Sequence, residues 1–284
     1  MALVMHMEPV IGGMVLQVSD EASDVDHSHT RPACHDDGVD LHAVLNDAAE
    51  AIRSALGSID NWGLADTKPG QYLSDLAADA AALEVLIGNG LGVLSEETGR
   101  HHPERDITVV LDPLDGSTNA SRGIPWYAIS MCAVDHDGPR AALVVNLAQG
   151  PSFRAERGAG ATADDLRLIP SRRTAMNQSL VALSGYPREY LGWYQFRALG
   201  AAALDLCAVA AGVVDAYIDC SWNAHGPWDY LGGALVCREA GAFVVDAQNR
   251  DLVTLEYTER RTPVAAGTQP LLEEALAARR ALER

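Results

Sequence analysis

The chain changes texture near residue 175, and that change limits the folds open to it. Before it, strand-length apolar runs follow one another closely: ITVVL (107–111), WYAISMCAV (126–134), RAALVVNL (140–147) and SFRAER (152–157). The turn signals DHDG (135–138) and AQGP (148–151) join neighbouring runs, which predicts an antiparallel meander. From about residue 178, strands (SLVALSG, VVDAYID, AFVVD, TPVAAG) alternate with helices (RALGAAALDLCAVAAG, WDYLGGALVCREAGA, QPLLEEALAARRAL). Such alternation predicts a mixed or parallel sheet. Upstream of the meander, Leu41, Val44, Leu45, Ala48, Ile52 and Leu56 share one helical face that stops at Gly57, and a second helix follows Ser74. Pro69-Gly70 places a turn between the two helices. The expected organisation is a flexible, acidic arm over 1–40, an α+β half over 41–175 with an antiparallel sheet and the metal site, and an α/β half over 176–284 that completes the active site.

Charge and cysteine usage narrow the partners. The 284 residues carry 39 acidic and 21 basic side chains, a formal net charge of −18, so no basic surplus exists to neutralise nucleic-acid phosphates or an anionic membrane. Five scattered cysteines with no C-x-x-C pair argue against a disulfide framework or a zinc site and for a reducing cytoplasm. His27, His29, Cys34 and His35 in the arm fit no standard zinc spacing. No apolar run approaches the ~18 residues of a membrane span, and the N-terminal stretch lacks the basic region of a signal peptide.

The densest chemistry lies in LDPLDGSTN (111–119). Asp112 and Asp115 follow an apolar, β-branched strand, with Pro113 setting a turn and Gly116 permitting a tight bend, so the two carboxylates converge as a divalent cation requires. Gly-Ser-Thr-Asn then reads as a helix start, with free N–H groups and the hydroxyls of Ser117 and Thr118 facing an anion. A bare D-x-x-D-G is ordinarily an Asx-rich turn; the strand before it and the polar helix start after it favour a site. Two further elements are ambiguous singly. Glu96-Glu97 in VLSEETG reads equally as a solvated strand end, and Asp229 in GPWDYLGGALVCREAGA as a plain N-terminal cap.

In this order, LSEETG, DPLDGSTN and WDYLGGALVCREAGA resemble the three signature segments of the inositol monophosphatase family, a superfamily of Mg²⁺-dependent, lithium-sensitive phosphatases, with a similarity running from about Leu41 to Thr268. The resemblance implies a layered α-β-α-β-α sandwich of the sugar-phosphatase type, within the α/β (α+β) class. It implies metal ligation by Glu96, Asp112, the Leu114 carbonyl, Asp115 and Asp229, for two or three Mg²⁺ ions per site. Ser95 stands where the family usually has glycine, and Ala201 where it has serine. Catalytic roles are implied for Glu96, for Ser117 in orienting the attacking water, and for Asp75 in supporting the water and third-metal region. Gly116, Ser117 and Thr118 would bind phosphate, Asp219 would contact the substrate's hydroxyls, and Lys68 falls roughly where the family has a lysine near the metals. The segment CSWNAHG lengthens the approach to Asp229 and brings Trp222 and His225 beside the site, as substrate contacts or as a surface loop.

The implied function is hydrolysis of a small phosphomonoester, inositol monophosphate-like, by metal-activated water. Histidinol phosphate, 3′-phosphoadenosine 5′-phosphate and sugar (bis)phosphates remain alternatives, as does a non-catalytic metal- or ligand-binding member. A homodimer is implied by the resemblance alone.

Overall fold

The computed structural model describes residues 39–65, 67, 71–148 and 150–282; all of the predicted arm but its last two residues, together with Lys68 and the predicted Pro69-Gly70 turn, lies outside the described residues. Helix α1 (Leu41–Gly57) begins where the Asp40 carboxylate accepts the Ala43 N–H at 3.1 Å, and it buries the face predicted from its spacing. Helix α2 (Leu73–Gly88) begins at Tyr72, whose N–H is accepted by Asp75 at 2.9 Å. There follow strands β1 (Gly92–Ser95), β2 (Gly99–His101) and β3 (Thr108–Asp115), the short helix α3 (Ser117–Arg122), and the meander of β4 (Ala128–Asp135), β5 (Gly138–Asn146), β6 (Ser152–Glu156), β7 (Gly160–Ala163) and β8 (Leu166–Arg167). The second part comprises β9 (Leu180–Ser184), β10 (Gln195–Arg197), α4 (Ala202–Ala210), β11 (Ala216–Asp219), α5 (Pro227–Ala240), β12 (Phe243–Asp246), β13 (Pro263–Ala266) and α6 (Gln269–Ala281).

The first sheet has the order β2-β1-β3-β4-β5-β6-β7-β8, antiparallel except where β1 runs parallel to β3. The second has the order β10-β9-β11-β13-β12, parallel on the β9 side and antiparallel around β13. Three apolar clusters separate five layers. One lies between α1/α2 and the first sheet, one holds α4 and α5 between the two sheets, and one lies between the second sheet and α6. The result is the α-β-α-β-α sandwich.

Local structure departs from the sequence expectation where side chains gave no periodic signal. The helix expected from Arg197 starts only at Ala202, and Gln195–Arg197 is an exposed edge strand. β3 does not stop at Leu111 but continues to Asp115 through a bulge between Asp112 and Asp115. Pro113, which has no N–H to give a ladder, is accommodated there without a turn.

Helix α5 sits against α4 on one side and β4 and β5 on the other. Glycine makes that spacing possible. A Cβ on Gly233 would lie 2.7 Å from Leu206 Cβ and 2.9 Å from the Ala203 carbonyl oxygen, and one on Gly232 would lie 2.9 Å from Ser130 Oγ. Gly233→Ala is therefore expected to destabilise the fold by about 1–3 kcal/mol despite alanine's better helix propensity, read as a lower thermal midpoint. An unchanged or higher midpoint would show that α4 and α5 separate freely.

Candidate metal centre

The parallel pair β1–β3 builds one wall of the site. Ser95 is registered opposite Leu111, and the Glu96 N–H continues the pairing by donating to the Leu111 carbonyl at 3.1 Å. Glu96 and Asp112 are thereby set side by side at the carboxyl ends of neighbouring parallel strands, where α/β sheets commonly place ligands. The Tyr257 hydroxyl donates to the Glu96 carbonyl at 2.8 Å and secures this end of the wall. In the bulge, the Leu114 N–H donates to Asp112 Oδ1 at 2.9 Å, turning that carboxylate back over its own backbone.

Two helices from the middle layer complete the cluster, α4 by an amide that holds Asp115 at the end of β3 and α5 by carrying Asp229. Asp115 Oδ2 accepts the Ala203 N–H at 2.7 Å, in the first turn of α4, where the unsatisfied amides favour negative charge. Asp229 lies in the first turn of α5 behind Pro227, and its Oδ2 accepts the Gly226 N–H at 2.7 Å. Carboxylate oxygens of Glu96, Asp112 and Asp229 come within 4.8 Å of one another. The other acidic cluster found among the described residues, Asp135-His136-Asp137, is a surface turn in which Arg157 already pairs with Asp135 at 2.7 Å.

Burial and mutual repulsion raise the affinity of these groups for protons. Burial first, then the charges of its acidic neighbours, pushes Glu96 and Asp112 well above the usual carboxylate range. Burial and Asp229 push Asp115 up to about 7, against the helix amides that hold it down. Such crowding, in a set made only of oxygen donors, fits a hard divalent cation: Mg²⁺ or its like would replace the protons. Glu96, Asp112, Asp115 and Asp229 are the residues placed to hold it.

The residues expected on the phosphate side follow directly along the chain. Gly116 has φ +84°, and a Cβ there would lie 3.1 Å from the Trp126 carbonyl oxygen and 3.2 Å from Ala201 Cβ, so the chain can pass between these walls only as glycine. Ser117 and Thr118 open α3, and Thr118 Oγ1 is 3.3 Å from the Tyr72 hydroxyl. Asp75 is not part of the tight carboxylate cluster. It is buried in the first turn of α2, and burial, reinforced by Glu97, pushes it up to about 7. Asp219 is 0% exposed, with Oδ1 accepting the Ser221 N–H at 2.8 Å, and burial pushes it up to about 6.

Two residues of the site's surroundings, Asp79 and Asp205, carried no distinct signal in the sequence, and a third, His225, was expected beside the site without a defined role. Asp79, one turn after Asp75, is buried and accepts hydrogen bonds from Ser95 Oγ and, at 2.9 Å, from Thr98 Oγ1. The i, i+4 spacing with Asp75 on an otherwise apolar helix was the available clue. Ser95, at the position of the family's usual glycine, thus ties β1 to α2. Asp205 is buried in the first turn of α4 and accepts the Trp126 indole N–H at 2.9 Å, and burial holds it well above the usual range. His225 stands 3.2 Å from Asp229 through Nδ1, and 3.1 and 3.2 Å from the Ser184 and Tyr217 hydroxyls through Nε2. Burial disfavours its charged form, but Asp229, Asp219 and Asp115 overcome this and push it up to about 9.

A sequence model of the inositol monophosphatase family matches residues 75–283. The chain belongs to that family. It is 29% identical over 240 residues to a fructose-1,6-bisphosphatase of Pyrococcus furiosus, covering 82% of this chain and 94% of that one. It is 33% identical over 174 residues to a Nus factor SuhB of Xylella fastidiosa, covering 56% of this chain and 62% of that protein. Among solved structures, a hypothetical protein from Pyrococcus horikoshii with similarities to inositol-1 monophosphatase superposes with a TM-score of 0.72 at 27% identity, covering 84% of this chain and 95% of that one. Membership of the inositol monophosphatase family fits the acidic cluster, since the family is metal-dependent.

Protons and a cation compete for the same carboxylates, which sets a pH dependence. Asp75 and Asp115 titrate near 7 in the folded protein against 3.8 ordinarily, so their contribution to stability is full below about 4 and is lost as pH rises through about 7. Mg²⁺ is accordingly expected to raise the thermal midpoint more at pH 8 than at pH 5. An Mg²⁺-induced shift of equal size at both pH values would contradict the competition.

Proposed function

We propose that the chain is a divalent-metal-dependent phosphomonoesterase acting on a small phosphorylated metabolite. The observation that carries this reading is the convergence of Glu96, Asp112 and Asp229 within 4.8 Å at the end of a parallel strand pair, with Asp115 held beside them by α4. In this reading Glu96, Asp112, the Leu114 carbonyl, Asp115 and Asp229 hold two or three Mg²⁺ ions. When bound, the metal supplies charge neutralisation of the phosphoryl oxygens, hydroxide near neutral pH and stabilisation of the departing alkoxide.

The chain's own groups do the positioning. Gly116 and Ser117 offer backbone N–H groups to the phosphate, the start of α3 places the Thr118 hydroxyl beside them, and Ser117 orients the attacking water. Asp75 and Glu96 hold that water toward phosphorus. No covalent enzyme intermediate is required, because the carboxylates serve as ligands rather than nucleophiles. The substrate class stays broad: inositol monophosphate, histidinol phosphate, 3′-phosphoadenosine 5′-phosphate and sugar (bis)phosphates all present the group that these residues address. The net charge of −18 favours a small ester over a nucleic-acid polymer, and the reading includes a cytoplasmic setting and a homodimer. Among the described residues no helix is long and apolar enough to cross a membrane.

Phosphate release from a panel of phosphomonoesters, with Mg²⁺ and with chelator, tests the reading. Hydrolysis of at least one ester is expected with Mg²⁺ only, and Asp112→Asn should lower kcat by about 10²-fold or more, as loss of a principal electrostatic group does. Protein that binds metal yet releases phosphate from no ester would replace this reading with a non-catalytic role for the fold.

A further inference from the structure

We propose that His225 is a positioning residue for Asp229, and that Asp219 acts on the site through His225 rather than on the substrate. The proposal rests on the metal-dependent reading above. Two donors reach the same oxygen of Asp229: the Gly226 N–H at 2.7 Å and His225 Nδ1 at 3.2 Å. A carboxylate oxygen accepts, so Nδ1 donates. With one oxygen fixed twice, the carboxylate cannot rotate, and its other oxygen is the one presented to the cation. The Gly226 amide alone would leave a hinge about a single bond.

The histidine is itself held from every side. Its backbone N–H and carbonyl pair with the carbonyl and N–H of Arg261, at 3.4 and 2.9 Å. Its Nε2 faces three oxygens: Ser184 Oγ at 3.1 Å at the end of β9, the Tyr217 hydroxyl at 3.2 Å, and Asp219 Oδ2 at 3.8 Å at the end of β11. The loop leading to it is fastened as well. Arg250, doubly bonded to Asp246, donates to Asn223 Oδ1 at 2.8 Å, and Arg279 donates to the Ser221 carbonyl at 2.8 Å. The extra residues before Asp229 thus form a braced arm that delivers one ring.

Asp219 supplies the second, independent observation. Its side chain is 0% exposed and its Oδ2 has no hydrogen-bond partner, although burying an unpartnered carboxylate oxygen is costly. His225 Nε2 stands 3.8 Å from this oxygen as its ion-pair partner. A carboxylate so enclosed cannot meet a substrate's hydroxyls, but it can orient the ring that orients Asp229. Metal-ligating groups are commonly fixed by partners of this kind, whose loss costs about 10–100-fold in metal affinity.

The test uses the full chain and Mn²⁺ as the probe, with binding followed by electron paramagnetic resonance and calorimetry. An asparagine amide mimics Nδ1 and a glutamine amide mimics Nε2, so the two variants separate the ring's functions. His225→Ala and His225→Gln are expected to weaken Mn²⁺ binding about 10–100-fold, and His225→Asn by only a few-fold. Asp219→Asn is expected to weaken Mn²⁺ binding and to lower the rates on all esters by a common factor. The proposal is overturned if His225→Ala binds Mn²⁺ as the wild type does. It is overturned equally if Asp219→Asn reorders the ester preferences with unchanged Mn²⁺ affinity, which would place Asp219 on the substrate. Should His225→Ala fail to fold by circular dichroism, equal affinities of the Asn and Gln variants would overturn it. Wild-type protein that binds no Mn²⁺ would remove the metal-dependent reading itself, an outcome distinct from the others.

Discussion

Like charges brought together out of water set the terms for this molecule. Glu96, Asp112, Asp115 and Asp229 are drawn from the ends of two strands and the first turn of one helix and gathered where burial penalises the charged form of a carboxylate. Nothing in their own chemistry favours that arrangement. It is held by the apolar layers around it, and each carboxylate has a fixed backbone donor or strand end behind it: Leu114 N–H for Asp112, Ala203 N–H for Asp115, Gly226 N–H for Asp229 and the β1–β3 pairing for Glu96. The middle layer is therefore more than filler. Helices α4 and α5 pack across Gly233 at a distance no Cβ would permit, and both present their amino-terminal turns to the acidic cluster. Apolar packing supplies the free energy and the helix amides direct part of it against the repulsion.

How much of this could be read in the chain depended on whether the physics was local. Most helices and strands follow from periodicities that each segment carries alone, such as the α1 stripe from Leu41 to Leu56 and the alternation after residue 178, whereas their stacking in five layers was implied by the family resemblance. The pieces that escaped are those whose partners lie far away in sequence. β10 has no apolar pattern because it is an exposed edge, and it exists only by pairing with β9. The β3 bulge looked like a turn because Pro-Leu-Asp-Gly is turn chemistry; the ladder to β4 resumes at Asp115 opposite Ala128 and carries the strand through. Local propensity was overridden by tertiary pairing in both places.

The candidate site divides along the same line. Asp112, Asp115, Glu96 and Asp229 sit in segments specific enough to be singled out and matched to a family, and the structure brings them together. Asp79 and Asp205 sit on alanine-rich helices where an aspartate has many ordinary explanations, and His225, though expected beside the site, could be read as a substrate contact or as part of a surface loop. Their importance emerges only from contacts spanning long stretches of chain: Ser95 to Asp79, Trp126 to Asp205, Ser184 to His225. Asp219 is the instructive intermediate. Its position was legible, and the resemblance assigned it to the substrate. Its complete burial, with Oδ2 turned toward His225 at 3.8 Å, is a fact of packing that no spacing in the sequence could convey.

The acidity of the chain acquires a different meaning at each scale. Summed over 284 residues, a charge of −18 repels polyanions and discourages nucleic acid as a partner. Locally, the acidic groups that look most hostile to a phosphate are those that would make its binding possible, because a pair of divalent cations carries enough charge to invert the sign of the pocket. The global surplus then has a selective consequence. Charges farther apart than a Debye length of about 8–10 Å are largely screened, so a compact ester in the cleft would meet chiefly the cations, while an extended polyanion would also meet the acidic surface it lay along. In the proposed reading net charge and site charge act together, one disfavouring polymers and the other retaining the small monoester.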